Sequence, residues 1–112
     1  MTNKTYQPLL IHSVKASSDL KEHRFVGFNG NYCAAGDKAL GVCDVSTENG
    51  QYAPVGVFGF LLVEAGGVIE AGSAVTSDAN GKAVAVSSGD EVNGYALDSA
   101  VAGQEIRILR GI

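Results

Sequence analysis

Val63-Glu64-Ala65-Gly66-Gly67-Val68-Ile69-Glu70-Ala71-Gly72-Ser73-Ala74-Val75-Thr76-Ser77-Asp78-Ala79-Asn80-Gly81-Lys82-Ala83-Val84 is the most patterned stretch of this chain. Within it, Val75-Thr76-Ser77 and the run opened by Lys82-Ala83-Val84 flank Asn80-Gly81. Asn and Gly both tolerate positive φ, which the type I′ turn of a tight hairpin requires. The two runs are therefore expected to pair, with Asp78 starting the turn through a side-chain oxygen that accepts backbone N–H groups. The same dipeptide recurs at Asn29-Gly30, Asn49-Gly50 and Asn93-Gly94. Four such turns between short apolar runs describe a compact all-β module.

Working outward, strand signals repeat at roughly ten-residue spacing, the rhythm of small barrels and sandwiches. Phe25-Val26-Gly27-Phe28 leads through Asn29-Gly30 to Tyr32-Cys33-Ala34-Ala35, and Leu40 to Val45 leads through Asn49-Gly50 to Gln51–Val55. Val55 to Val63 is the most apolar run, and its glycines and β-branched residues favour a buried strand. Tyr95-Ala96-Leu97 and the alternating Ile106-Arg107-Ile108-Leu109 close the chain. The expected fold is a small β-barrel or β-sandwich of short strands carrying an extended N-terminal arm. Residues 1–15 form the arm and residues 16–112 the single domain. Ser17 to Glu22 is open between one or two capped helical turns and an extended loop. The arm's apolar patch, Leu9-Leu10-Ile11, either folds back on its own domain or lies on a neighbour.

Composition narrows the functional classes. Eight Lys and Arg against twelve Asp and Glu give a formal charge of −4, and the basic residues are scattered. Nucleic-acid binding rests on clustered cations, so DNA or RNA is not an expected partner. No window approaches the ~20 apolar residues of a membrane span, and Leu9-Leu10-Ile11 is too short for a secretory signal. A membrane is thus not an expected partner either, and synthesis in the cytoplasm is expected. Cys33 and Cys43 match no metal-ligand spacing, and His12 and His23 complete none. Count alone leaves a disulfide open; two half-buried free thiols is the plainer reading.

Candidate chemistry is thin, and no catalytic, cofactor or metal site is expected. Asp37-Lys38-Ala39 is the triplet that lipoyl domains present at a hairpin tip, which would make Lys38 a modified carrier lysine. Here, following Ala35-Gly36 and preceding Leu40-Gly41-Val42, ordinary turn chemistry before a strand is the plainer reading. Glu64, Glu70 and Asp78 invite an acid–base reading, yet the glutamates flank Ala65-Gly66-Gly67 as a solvated loop would. Gly66-Gly67 lacks the following helix of a phosphate-binding loop. None of the serines sits in a Gly-x-Ser-x-Gly nucleophile motif. The chain does not read as an enzyme.

The run Glu64 to Val84, the closing segment Gly94 to Ile108, and the stretches Arg24–Phe28 and Ala35–Val42 together resemble the capsid decoration (cement) proteins of tailed bacteriophages. The likeness covers about residues 16–110 and is carried by Gly, Ala and turn residues. It departs from the family pattern at Gln104, where an acidic residue is common, and at Cys33 and Cys43, which belong to no family motif. The resemblance implies a small β-rich protein on the outer capsid surface of the virion, bound to the major capsid protein of an expanded shell. Family members form homotrimers, less often homodimers, where capsomers meet, and clamp the shell against internal DNA pressure. Tyr6, Leu9, Leu10 and Ile11 are then the expected interface anchors, because interface energy concentrates in a few apolar and aromatic groups. Another virion or tail component built on a similar module is the first alternative. A lipoyl-type carrier is the second, and a periplasmic binding module the third.

Overall fold

Asp78 does organise the hairpin that the sequence marks most clearly. Its Oδ1 accepts from Asn80 N at 2.8 Å and from Lys82 N at 2.9 Å, while Gly81 N closes the turn onto Asp78 O. This computed structural model describes residues 7–111. Strands β5 (Ala74–Ser77) and β6 (Ala83–Ala85) pair antiparallel on either side of that turn. The turn type differs from the expectation. Type I′ needs two positive φ values, but His23 is the one described non-glycine residue with a positive φ. Most tight turns instead place a single left-handed glycine third, as in Glu48-Asn49-Gly50-Gln51 and Glu70-Ala71-Gly72-Ser73, a type II arrangement.

The remaining strands are β1 (Gln7–Lys15), β2 (Phe25–Val26), β3 (Gly41–Cys43), β4 (Tyr52–Glu64), β7 (Gly94–Ala96) and β8 (Glu105–Arg110). They hydrogen-bond in the order β2-β3-β4-β8-β7-β5-β6, with β1 also on β4. The two ends of that path meet, so the sheet rolls into a small, nearly closed barrel. Phe25 N donates to Gly81 O and Gly66 N to Ala83 O across the seam. Arg24 clasps it. Its guanidinium reaches Glu64 Oε1 at 3.2 Å and Asn80 O at 3.1 Å and lies 5.8 Å from the centre of the Tyr32 ring. Lys82 adds a second cation to Glu64 at 3.5 Å. Glu64 is therefore not the solvated loop residue that its sequence setting implies. Burial works against its charge, but Arg24, the hydrogen bonds from it and Lys82 outweigh that and hold its carboxyl below the ordinary value.

β4 is the backbone of the architecture. Ala53, Val55, Leu61 and Val63 point inward and are fully buried, whereas Tyr52, Phe58 and Phe60 point outward and are exposed. The apolar run read as a buried strand is thus buried on one face only. Inside the barrel Phe25, Val42, Leu61, Ile69, Val75, Ile106 and Ile108 pack with small alanines. A second cluster, Ala16, Leu20, Val26, Cys43, Ala53 and Val55, lies under the segment that follows β1. Cys33 and Cys43 belong one to each cluster, both as free buried thiols whose pKa burial pushes up.

Of the two alternatives left open for Ser17–Glu22, the extended loop is the one formed: Leu20 bridges to Thr47, and Asp19 Oδ1 accepts from Asn49 N, supporting the Asn49-Gly50 turn rather than a helix. One local reading is corrected. Asn93-Gly94 is not a turn. Asn93 is fully buried, its Oδ1 accepting from Ala39 N and its Nδ2 donating to Asp37 O, so its side chain braces the loop ahead of β3.

Candidate functional site

β1 begins where the described chain begins, and it lies on its own domain as an antiparallel partner of β4 from Gln7↔Phe60 to Lys15↔Tyr52. Two register shifts interrupt the ladder, between Pro8 and Leu10 and between Leu10 and Ile11. Leu9 has no partner across the strands and stands 85% exposed, the extra residue of a bulge. Gly59 makes the bulge fit. With φ at 111°, it sits where a Cβ would come within 2.5 Å of Gln7 O and 2.7 Å of Leu9 N. A side chain there would force the two backbones apart.

At Gly59 and Phe60, β4 pairs with Pro8 and Gln7 on one side and with Arg110 and Leu109 of β8 on the other. Beyond β8, Leu109 pairs with Tyr95 of β7. The registers put Leu10 beside Phe58, Phe60 beside Leu109, and Leu109 beside Tyr95, across the outside of four strands. Outward positions of an antiparallel sheet are ordinarily polar. Here they are large and apolar, with Leu10 at 47% exposure, Phe58 at 45% and Phe60 at 37%. A groove of about 670 Å³ runs between the bulge and the end of β8, walled by Pro8, Leu9, Leu10, Phe58, Phe60 and Leu109. A contiguous exposed apolar patch of this kind marks a contact surface for another molecule.

The sequence-derived anchors divide. Leu9, Leu10 and Ile11 all lie on β1 and are exposed, with Leu10 next to Phe58; Tyr6 lies outside the described residues. Sequence reading missed Phe58, Phe60, Tyr95 and Leu109. For Phe58 and Phe60 the signal was present in the run Val55 to Val63, which is apolar at both odd and even positions, so one set had to face away from the barrel core.

Elsewhere the geometry offers little chemistry. Lys38 follows the Ala34–Asp37 turn rather than capping a hairpin, and its Nζ donates to Val92 O at 2.8 Å. Ala39 beside it is buried, so the triplet is not presented as a carrier tip would be. His23 Nδ1 contacts Glu105 Oε2, and its backbone bridges Cys43 O and Glu64 N. Among the described residues, no group of three or more His, Cys, Asp or Glu is placed to hold a metal ion.

This small, nearly closed sheet with its apolar outer face has a counterpart among solved structures. The crystal structure of the head fiber gp8.5 N base in bacteriophage phi29 is similar over 91% of this chain and 93% of that one. The TM-score is 0.77 at 21% sequence identity, a likeness of fold. No curated protein matches the chain by sequence. The model of one family, described as phage cement protein, matches residues 4–112, nearly the whole length. The chain belongs to the phage cement protein family.

Proposed function

We propose that this phage structural protein binds the outer surface of the expanded capsid and stabilises it against the pressure of packaged DNA. The observation that carries the reading is the exposed apolar face of β1, β4, β8 and β7 on a protein of the cement family. The bulged Leu9 and its neighbours Leu10 and Ile11 dock against a shell subunit or a neighbouring copy, with Tyr6 extending the contact. Burying one large apolar side chain contributes about 1.5–3 kcal/mol. A few such anchors give modest affinity per copy, and many copies on one shell add up to a large collective stabilisation. The family resemblance implies a homotrimer, less often a homodimer, and association of either order covers apolar surface that a chain of this size leaves open.

The test is co-sedimentation of the purified full chain with expanded and unexpanded shells of its own phage's major capsid protein. Saturable binding to expanded shells at a fixed ratio, lost in a Leu9→Ser, Leu10→Ser double variant that still melts cooperatively, is the expected result. Absence of binding to expanded shells would remove this reading and favour a tail or other virion role. Truncating residues 1–14 would be a poorer test, because residues 7–15 form a strand along β4.

A further inference from the structure

The apolar groove ends in charge. A smaller cleft of about 150 Å³ adjoins it, and Phe58, Leu109, Arg110 and Gly111 line both. Lys38 lines the smaller cleft. In a chain of net charge −4, not one Asp or Glu lines either cavity. Arg110 is the anomaly. Its Nη2 donates to Ala39 O at 2.6 Å, but its Nη1 is buried with no hydrogen-bond partner. Among the described residues, neither Arg110 nor Lys38 has a carboxylate within ion-pairing distance. Burial presses the Arg110 pKa down, with only Cys33 opposing, yet a guanidinium stays charged across the ordinary pH range. A desolvated cation with no counterion among the described residues is costly to the free protein, and the cost is recovered when an anion arrives with good geometry.

We propose that this cleft is the receptor for an acidic–apolar segment of the shell protein. On this reading an Asp or Glu pairs with Arg110, Lys38 adds a second cation at the rim, and a large apolar side chain fills the groove beside Phe58. This rests on the reading of the chain as a shell-binding protein and adds the chemistry of its partner. Charge complementarity selects the occupant: among the described residues the groove and the cleft together present Arg110 and Lys38 and no Asp or Glu, so a neutral or basic segment would leave Arg110 as it is.

Arg110→Met keeps the length and apolar stem of the side chain while removing the charge. The free variant is expected to melt near the wild-type temperature, because removing an unpartnered cation offsets the loss of its hydrogen bond to Ala39 O. Its affinity for expanded shells is expected to fall at least about tenfold, the scale for truncating one partner of a desolvated charge pair. Lys38→Met, an exposed change, is expected to give a smaller loss and a weaker dependence of binding on salt. p-Benzoylphenylalanine in place of Tyr95, irradiated on decorated shells, is expected to crosslink a major capsid protein peptide containing Asp or Glu.

Arg110→Met binding as tightly as wild type overturns the proposal. A variant melting clearly below wild type does so too, since Arg110 would then be structural. So does a crosslink to a second copy of this chain, to its own C-terminal residues, or to a shell peptide without an acid. Wild-type protein that fails to bind shells removes the shell-binding reading and this proposal with it. Wild-type binding with an unaffected Arg110→Met removes only the latter.

Discussion

Asn93 and Asp78 show how differently two turn-forming residue types are used. Asp78 acts on backbone groups two and four residues ahead, so its role is written in its immediate neighbourhood and was legible there. Asn93 acts on Ala39 and Asp37, 54 and 56 residues away, and nothing near Asn93-Gly94 signals that. Asn93→Ala leaves the buried Ala39 N–H without a partner and removes one of the two donors to Asp37 O, and is expected to cost about 1–3 kcal/mol in chemical denaturation. Glu64 carries a pH signature of definite sign. Its carboxyl has a folded-state pKa below the ordinary 4.5, so the ion pair with Arg24 contributes fully above that value. The contribution is lost as pH falls through the lower folded-state pKa. Glu64→Gln is therefore expected to destabilise the protein by about 2 kcal/mol at neutral pH and to approach wild-type stability in acid. Thermal melting across that range checks both limbs.

Among elements, the pairing of the β5–β6 hairpin was legible, though not its turn type, because two short runs and one turn determine it locally. β1 was not. Gln7–Lys15 has no apolar alternation, since its outer edge is unpaired and most of its residues are exposed; only the register with β4 makes it a strand. The contact face was half legible for the same reason. Leu9, Leu10 and Ile11 stood out in a polar segment, whereas Phe58 and Phe60 were hidden in a run whose inward half is genuine core. Arg110 was invisible, because an unpartnered guanidinium nitrogen is a property of packing and not of the letter R. Gly59 joins these elements, and its substitution should separate them. Gly59→Ala is expected to cost about 2–3 kcal/mol through its positive φ and the collision with β1. It should also raise hydrogen–deuterium exchange across residues 7–15 while leaving the β5–β6 hairpin protected.

For the whole molecule, barrel closure depends on few bonds. The ends of the strand path meet at Phe25–Gly81, at Gly66–Ala83 and through Arg24, so the seam is where the structure is thinnest. Short strands at regular spacing made a barrel or sandwich readable. Choosing between them needed the seam contacts, which join residues 17 to 56 positions apart in the chain. The first and last strands, β1 and β8, flank β4 at the same two residues, Gly59 and Phe60. In topological terms the strands close almost into a ring beside the contact face. A circular permutant that joins the present ends through a short flexible linker and starts in the Ser87–Asp90 turn is expected to fold with a similar melting temperature. The permutation would also move a fused enzyme or epitope from the rim of the groove to that turn, and shell occupancy with cargo attached at each position would measure the difference.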